Sequence, residues 1–513
     1  MGELISGARR LDIGDMQDRA ARAASGLASL GIGRGDVIAL YLRNDFPFFE
    51  ASAAAGLLGA YPTPVNWHYT VAEARYLFEN SGAKAIVIHA DLIAPIRDAL
   101  PPGVPVLVVP TPPEIASAYG VSAEASQAPA GYETWNTWLE GFSPLVATGI
   151  EAPGTIIYTS GTTGHPKGVR RSPPTPEQAA LTATLLGRAF GFSGFGPPAE
   201  IVTVVTGPMY HSAPNAYGLA SARLGATVIL QPRFEAEDLL RQIEAFRVTH
   251  LHMVPIMFNR LLKLPEDVRK KYDVSSLEFV VHAAAPCSPP VKRAMIEWWG
   301  PVIMEYYGST ETGGVVFCNS EQWLSHPGTV GKAMPSADVR VVDADGNSVP
   351  AGEVGEVVAM FTNIADFTYH KDHAKRVSST KVGLVATGDI GYFDADGYLY
   401  LCDRSKDMII SGGVNIYPAE IEASLHRMPG VADCAVFGIP DDEYGEAIHA
   451  VVQPQPGVTL THEQVRTYLR EHVSGFKVPK SVDFSNELPR EDSGKIFKRK
   501  LREPFWAGRS ARI

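Results

Sequence analysis

The feature that most constrains this chain is a repeated alternation of short apolar strand patterns with helical ones. Residues 16–30 place apolar and alanine positions at helical spacing and stop at Gly31, a C-cap residue type. Residues 36–42 then read as a buried strand, 46–59 as a helix of small residues, 71–81 as another helix and 85–89 as the next strand. The pattern returns at 226–231, 239–246, 250–254 and 279–282. A strand that is apolar at every position needs cover on both faces, and a parallel sheet between helices supplies it. The expectation is therefore a layered α/β fold. Residues 110–131, rich in Pro, Ala and Ser, read as an irregular surface connection. At 328–361 the texture changes to short strands with turns at Asp345-Gly346 and 352–355, which predicts a small antiparallel unit. Beyond about residue 403 an α+β pattern follows, with strands at 431–437 and 448–452 and a helix at 462–472.

Composition excludes several classes. A formal charge of −11 argues against broad, sequence-independent nucleic-acid binding. Four cysteines without a C-x-x-C pair fit a reducing cytoplasm better than a disulfide scaffold. No apolar run approaches the roughly 18 residues of a membrane span, and no signal peptide is visible, so a cytoplasmic protein without an integral membrane segment is expected.

The strongest chemical signal is a loop after the apolar run 155–158. Thr159, Ser160, Gly161, Thr162, Thr163, Gly164 and Lys167 bring hydroxyls, glycines and a cation together before Gly168. Glycines let backbone N–H groups face an anion, hydroxyls add donors and Lys167 adds charge suited to a polyphosphate. It is not a Walker A loop, because Pro166 stands where that motif needs glycine. His250 and His252 share one strand face, but no third ligand motif accompanies them, so a metal site is not expected there.

This string closely resembles the phosphate loop of the adenylate-forming superfamily, which includes acyl-CoA synthetases, adenylation domains and luciferases. Further motifs follow in family order along nearly the whole chain, and the resemblance is closest to an acyl-CoA synthetase. It implies a large N-terminal AMP-binding domain (residues 1–403) of layered α/β subdomains with a small β-barrel-like unit. A small mobile α+β C-terminal domain (404–513) would follow, turning about a hinge at Lys406. Tyr307, Gly308, Thr310 and Glu311 are similar to the adenine and Mg²⁺ motif, with Glu311 as metal ligand and Thr310 on the α-phosphate. Ala284, Ala285 and Pro286 stand at the adenine wall, and Asp389 with Arg404 resembles the ribose pair. Gly412 and Gly413 match the segment lining the pantetheine tunnel, and Lys495 matches the catalytic lysine. His211 corresponds to the histidine beside the acid. The acid pocket would draw on Tyr210, Asn215, Tyr217, His282, Gly313 and Gly314. The small residues there point to a bulky, mainly apolar acid. The implied substrates and cofactors are a carboxylic acid, ATP (leaving as AMP), Mg²⁺ and coenzyme A, and a homodimer is left open.

The chain departs from the family pattern at three places. His282-Ala283-Ala284-Ala285-Pro286 replaces a glycine-rich adenine wall, which is harmless only where those positions have ordinary φ. Arg170-Arg171-Ser172-Pro173-Pro174 follows the phosphate loop, and its prolines delay the next helix. Residues 383–386 lack the usual aromatic. These changes keep open, beside a complete ligase, an enzyme mainly thiolating a supplied acyl-adenylate; one loading a carrier protein stays open because the acceptor thiol could be a protein's phosphopantetheine.

Overall fold

The computed structural model describes residues 2–146, 149–150, 152–159, 166–193, 200–404, 407–411, 414–441, 444–490 and 496–507, with backbone alone at 403, 404 and 415. Among these the layered α/β expectation holds. One nine-stranded sheet carries a parallel run in the order Ile303–Ser309, Phe279–His282, His250–Met253, Val202–Val205, Thr227–Leu230 and Glu3–Ser6. A second, all-parallel sheet orders Tyr61–Pro64, Val37–Tyr41, Ala83–His89 and Val106–Val109.

Local chemistry sets the element ends. The helix Val71–Ser81 opens with a Thr70–Glu73 capping box and closes at Gly82, whose φ of 66° suits glycine. The first helix, Ile13–Ser29, begins earlier than its apolar spacing predicts because the Asp12 carboxylate accepts from the Gly14 N–H. The connection at 110–131 is not wholly irregular: Pro112 and Pro113 start a short helix, Pro113–Tyr119, where a missing N–H costs nothing.

The small antiparallel unit pairs Ala337–Val342 with Gly355–Phe361, as its turns predict, and then recruits Leu384–Phe393 and Leu399–Arg404 from later in the chain. In the C-terminal region the hairpin Val431–Asp441 and Gly445–Pro454 outruns the apolar segments that mark it, since ladder hydrogen bonds continue past the buried residues. The helix His462–His472 has the predicted bounds.

Two consequences position the site. The parallel strands Val202–Val205, His250–Met253, Phe279–His282 and Ile303–Ser309 end at one edge, where open α/β sheets bind ligands. Alternation along those strands also separates two faces. Leu251, Val280 and Ile303 pack with the helices Pro255–Leu262 and Pro289–Trp299, whereas Phe279, Val281 and Tyr307 join Tyr217 and Phe190 on the other face. No helix among the described residues is long and apolar enough to cross a membrane.

Candidate active site

The nucleotide side is built where the short strand Lys167–Arg171 meets the end of Ile303–Ser309. Lys167, Val169 and Arg171 share a strand face, and Val169 and Arg171 pair with Tyr369 and Phe367. The Lys167 ammonium lies 2.8 Å from Asp372, and the Tyr369 hydroxyl donates to Glu311 at 3.0 Å. Lys167 also sits 6.0 Å from the Tyr369 ring centre, so one tyrosine links the phosphate-loop lysine to the carboxylate expected to bind metal. The hydrogen bond from the Lys167 ammonium, with that from the Lys375 N–H, lowers the Asp372 carboxyl pKa. Behind the turn at 310–311, Arg171 donates to the Thr310 carbonyl at 3.2 Å and the Glu311 carbonyl at 2.8 Å.

Tyr307 donates to Asp389 at 2.7 Å, which joins the adenine and ribose motifs. Across the antiparallel ladder Asp389 stands directly opposite Arg404, so the ribose pair shares one register position. Gly308 is obligatory: a Cβ there would lie 1.7 Å from the Gly313 carbonyl oxygen, which the hairpin brings against it. A carboxylate, hydroxyls, a lysine and an aromatic thus converge, a set chemically suited to Mg²⁺ and a nucleotide triphosphate.

The adenine wall differs from expectation. Ala284 has φ of 72°, a left-handed conformation that an alanine Cβ resists. The condition of ordinary φ fails there, and the wall carries backbone strain.

On the expected acid side, Tyr210 and His211 are supported by residues that have no motif. His211 stands at the N-cap position of the helix Ser212–Leu224, with its ring 4.6 Å from that of buried Tyr210. The segment leading to it is clamped by Asn44, which donates to the Gly207 carbonyl and accepts from the Met209 N–H, both at 2.9 Å. Asn215 donates to the Met209 carbonyl at 3.0 Å. Its amide holds this turn beside His211.

Tyr217 lies 2.7 Å from the Thr203 hydroxyl, and His252 Nε2 lies 3.0 Å from the Tyr306 hydroxyl. Phe190 packs edge-on against Tyr217, His252 and Tyr306, completing an aromatic box. Burial holds His252 neutral, with its pKa lowered to about 4. His250 and His252 do share a face, and His250 Nε2 reaches the Gly191 carbonyl at 3.0 Å.

One expected pocket residue faces elsewhere. His282 points to the opposite face of the sheet, against Phe258 and 3.6 Å from Glu305, which forms a buried ion pair with Lys292. Strand alternation therefore takes its ring out of the acid pocket. The space left by Gly314 is filled, since a Cβ there would meet the Tyr306 ring at 2.9 Å. Gly313, with φ of 73°, serves the same hairpin.

Ser160, Gly161, Thr162, Thr163, Gly164, Lys406, Gly412, Gly413 and Lys495 lie outside the described residues, as does the Arg404 side chain. Arg171, Tyr369, Asp372, Asn44, Thr203, His252 and Tyr306 were not anticipated as site residues. Arg171 had a sequence signal, as a charge where the family pattern breaks, and His252 had one, as half of a histidine pair on one strand face.

With these elements in place, the chain belongs to the AMP-binding enzyme family, whose main domain matches residues 3–365 and whose C-terminal domain matches residues 420–495. Within that family it is an AMP-forming acid–thiol ligase. The feruloyl-CoA synthase of an Amycolatopsis species is 32% identical over 503 residues, covering 97% of this chain and 95% of that protein. The long-chain-fatty-acid–CoA ligase FadD13 of Mycobacterium tuberculosis is 32% identical over 507 residues, covering 97% and 94%. The crystal structure of ATP-bound MatB from Rhodopseudomonas palustris superposes with a TM-score of 0.84 at 27% identity, covering 99% and 96%.

Proposed function

We propose that this ligase joins a bulky, mainly apolar carboxylic acid to CoA through an acyl-adenylate, using Mg·ATP. The observation that carries the reading is the convergence of Lys167, Tyr369, Glu311 and Arg171 at the carboxyl edge of the parallel sheet, with Tyr307 and Asp389 beside them. In it, Lys167 leaves Asp372 for the polyphosphate, Thr310 donates to the α-phosphate, Asp389 accepts the ribose hydroxyls and Tyr307 stacks on the adenine. Held by Glu311, Mg²⁺ would neutralise phosphate charge during in-line attack by the acid.

His211 orients the attacking carboxylate, and Lys495 bridges it to the α-phosphate. Residues 404–513 then turn about Lys406, withdrawing Lys495 and bringing Gly412 and Gly413 to the adenylate for attack by the CoA thiol. An apolar acid agrees with the names of the two sequence relatives and with the aromatic box around Tyr217, His252 and Tyr306.

The test measures acid-dependent pyrophosphate exchange and, in parallel, CoA thioester formation from preformed acyl-AMP. Lys495→Ala is expected to abolish the first and spare the second, and Gly413→Leu the reverse. Activity of the unmodified enzyme in the second assay alone would return the thiolation-only reading. Transfer to a phosphopantetheinyl carrier protein but not to CoA would return the carrier-loading one.

A further inference from the structure

The two arginines that break the family pattern after the phosphate loop point to opposite sides of their strand, as alternation requires. Arg170 stacks 4.2 Å from the Tyr61 ring centre and donates to the Gly35 carbonyl. Arg171 points inward, and its surroundings are unusual for a half-buried cation. Its guanidinium is spent on backbone carbonyls, those of Thr310, Glu311 and Ala365, at 3.2, 2.8 and 3.3 Å. Its own backbone is fixed by the Tyr61 hydroxyl, which donates to the Arg171 carbonyl at 2.9 Å, and by pairing with Phe367.

A cavity of about 10 Å³, room for a single water, is lined by Arg171, Glu311, Thr312, Phe361, Asp366 and Phe367. Burial pulls the guanidinium below its ordinary pKa, and the charges of Glu311 and Asp366 oppose that shift. Desolvating a cation is costly, and a leucine would fill such a site with less penalty. What the arginine supplies in return is a planar guanidinium whose Nη2 donates to both carbonyls of one tight turn while Nη1 reaches the Ala365 carbonyl, a fixed spacing of donors that lysine does not reproduce.

We propose that Arg171 is a positioning residue for the nucleotide half-reaction: from behind the turn, its fork sets the direction in which Thr310 and Glu311 present their side chains to Mg·ATP. The inference rests on the reading of Thr310 and Glu311 given above. It also explains how one five-residue strand serves the site twice, with Lys167 on the phosphates at one end and Arg171 holding the metal-side turn at the other, about 13 Å away.

The test compares Arg171→Leu and Arg171→Lys with the unmodified full chain, using ATP binding by calorimetry with Mg²⁺ and with EDTA. Arg171→Leu is expected to weaken ATP binding about tenfold with Mg²⁺ and less than twofold in EDTA. It should lower pyrophosphate exchange at least tenfold while leaving thioester formation from acyl-AMP within twofold. Arg171→Lys, which keeps the charge and loses the fork, should fall between. If the leucine variant does not fold, the lysine variant carries the same Mg²⁺-to-EDTA comparison. Equal weakening in both buffers, or no weakening in either, overturns the proposal, as does equal loss of both half-reactions. A lack of pyrophosphate exchange in the unmodified enzyme would instead sink the adenylation reading itself, whatever Arg171 does.

Discussion

The two halves of the site use polar groups in opposite ways. On the nucleotide side the charged groups are partly exposed and held by exchangeable partners: Lys167 by Asp372, Glu311 by Tyr369. On the acid side the polar groups are sealed among rings and committed to one another, Tyr217 to Thr203 and His252 to Tyr306. The first arrangement can release its partners to a ligand at little cost. The second cannot, because an unpaired polar group in that box would cost about 1–3 kcal/mol. On the proposed assignment, the contrast teaches that the nucleotide side is built to exchange contacts and the acid side to present a fixed shape.

The largest effect that could break this contrast comes from the nucleotide side. Glu311→Ala is expected to lower pyrophosphate exchange by about 10²–10³, the scale of losing one preorganised charge at a transition state. Thioester formation from preformed acyl-AMP should stay within a few-fold. Equal loss in the two assays would mean that Glu311 supports the fold rather than the phosphates.

The acid side predicts a pH signature in stability. His252 titrates near 4 in the folded chain against 6.5 unfolded, because burial disfavours its charged form. Its contribution is complete above pH 6.5 and is lost as pH falls from 6.5 toward 4, since only the unfolded chain takes up the proton. The loss is about 3 kcal/mol over that window. His250 and His282, also pushed down by burial, steepen the same slope. Denaturant titrations at pH 7, 5.5 and 4.5 measure it, and His252→Asn should flatten the profile. An unchanged slope in that variant would show that the box opens readily to water.

The same contrast explains what the sequence made legible. The residues proposed to hold the nucleotide sit in local strings, and a string such as 307–311 can be read from its order and spacing. Likewise, the strand Phe279–His282 and the helices Val71–Ser81 and His462–His472 follow from apolar period and caps. The acid box assembles from Phe190, Thr203, Tyr217, His252 and Tyr306, one from each of five separate segments, so no window of sequence shows it. His282 was misplaced because sequence proximity to the adenine wall does not tell which strand face a side chain takes. Asp372 and Tyr369 were missed because their partners lie 205 and 58 residues away.

Ala284 sharpens the comparison from the strained edge between the two halves. Its φ of 72° costs an alanine about 1 kcal/mol relative to glycine. Ala284→Gly should raise stability toward denaturant by about that amount, and any change in ATP affinity would show that the strain acts on the adenine. A destabilised glycine variant would mean that the alanine methyl packs against something worth more than the strain.

The smallest expected effect tests whether the nucleotide side exchanges partners at all. The Lys167–Asp372 pair is partly exposed, with side chains 23% and 39% accessible, so its strength is that of a screened surface pair. A polyphosphate that takes Lys167 must first displace Asp372. Removing the competitor by Asp372→Ala is therefore expected to tighten ATP binding about two- to fivefold, and less at high salt, where the pair is already weakened. Calorimetry at two ionic strengths reads both quantities. Weaker ATP binding in the variant would reverse the argument, since Asp372 would then be orienting Lys167 toward the phosphates rather than holding it away from them.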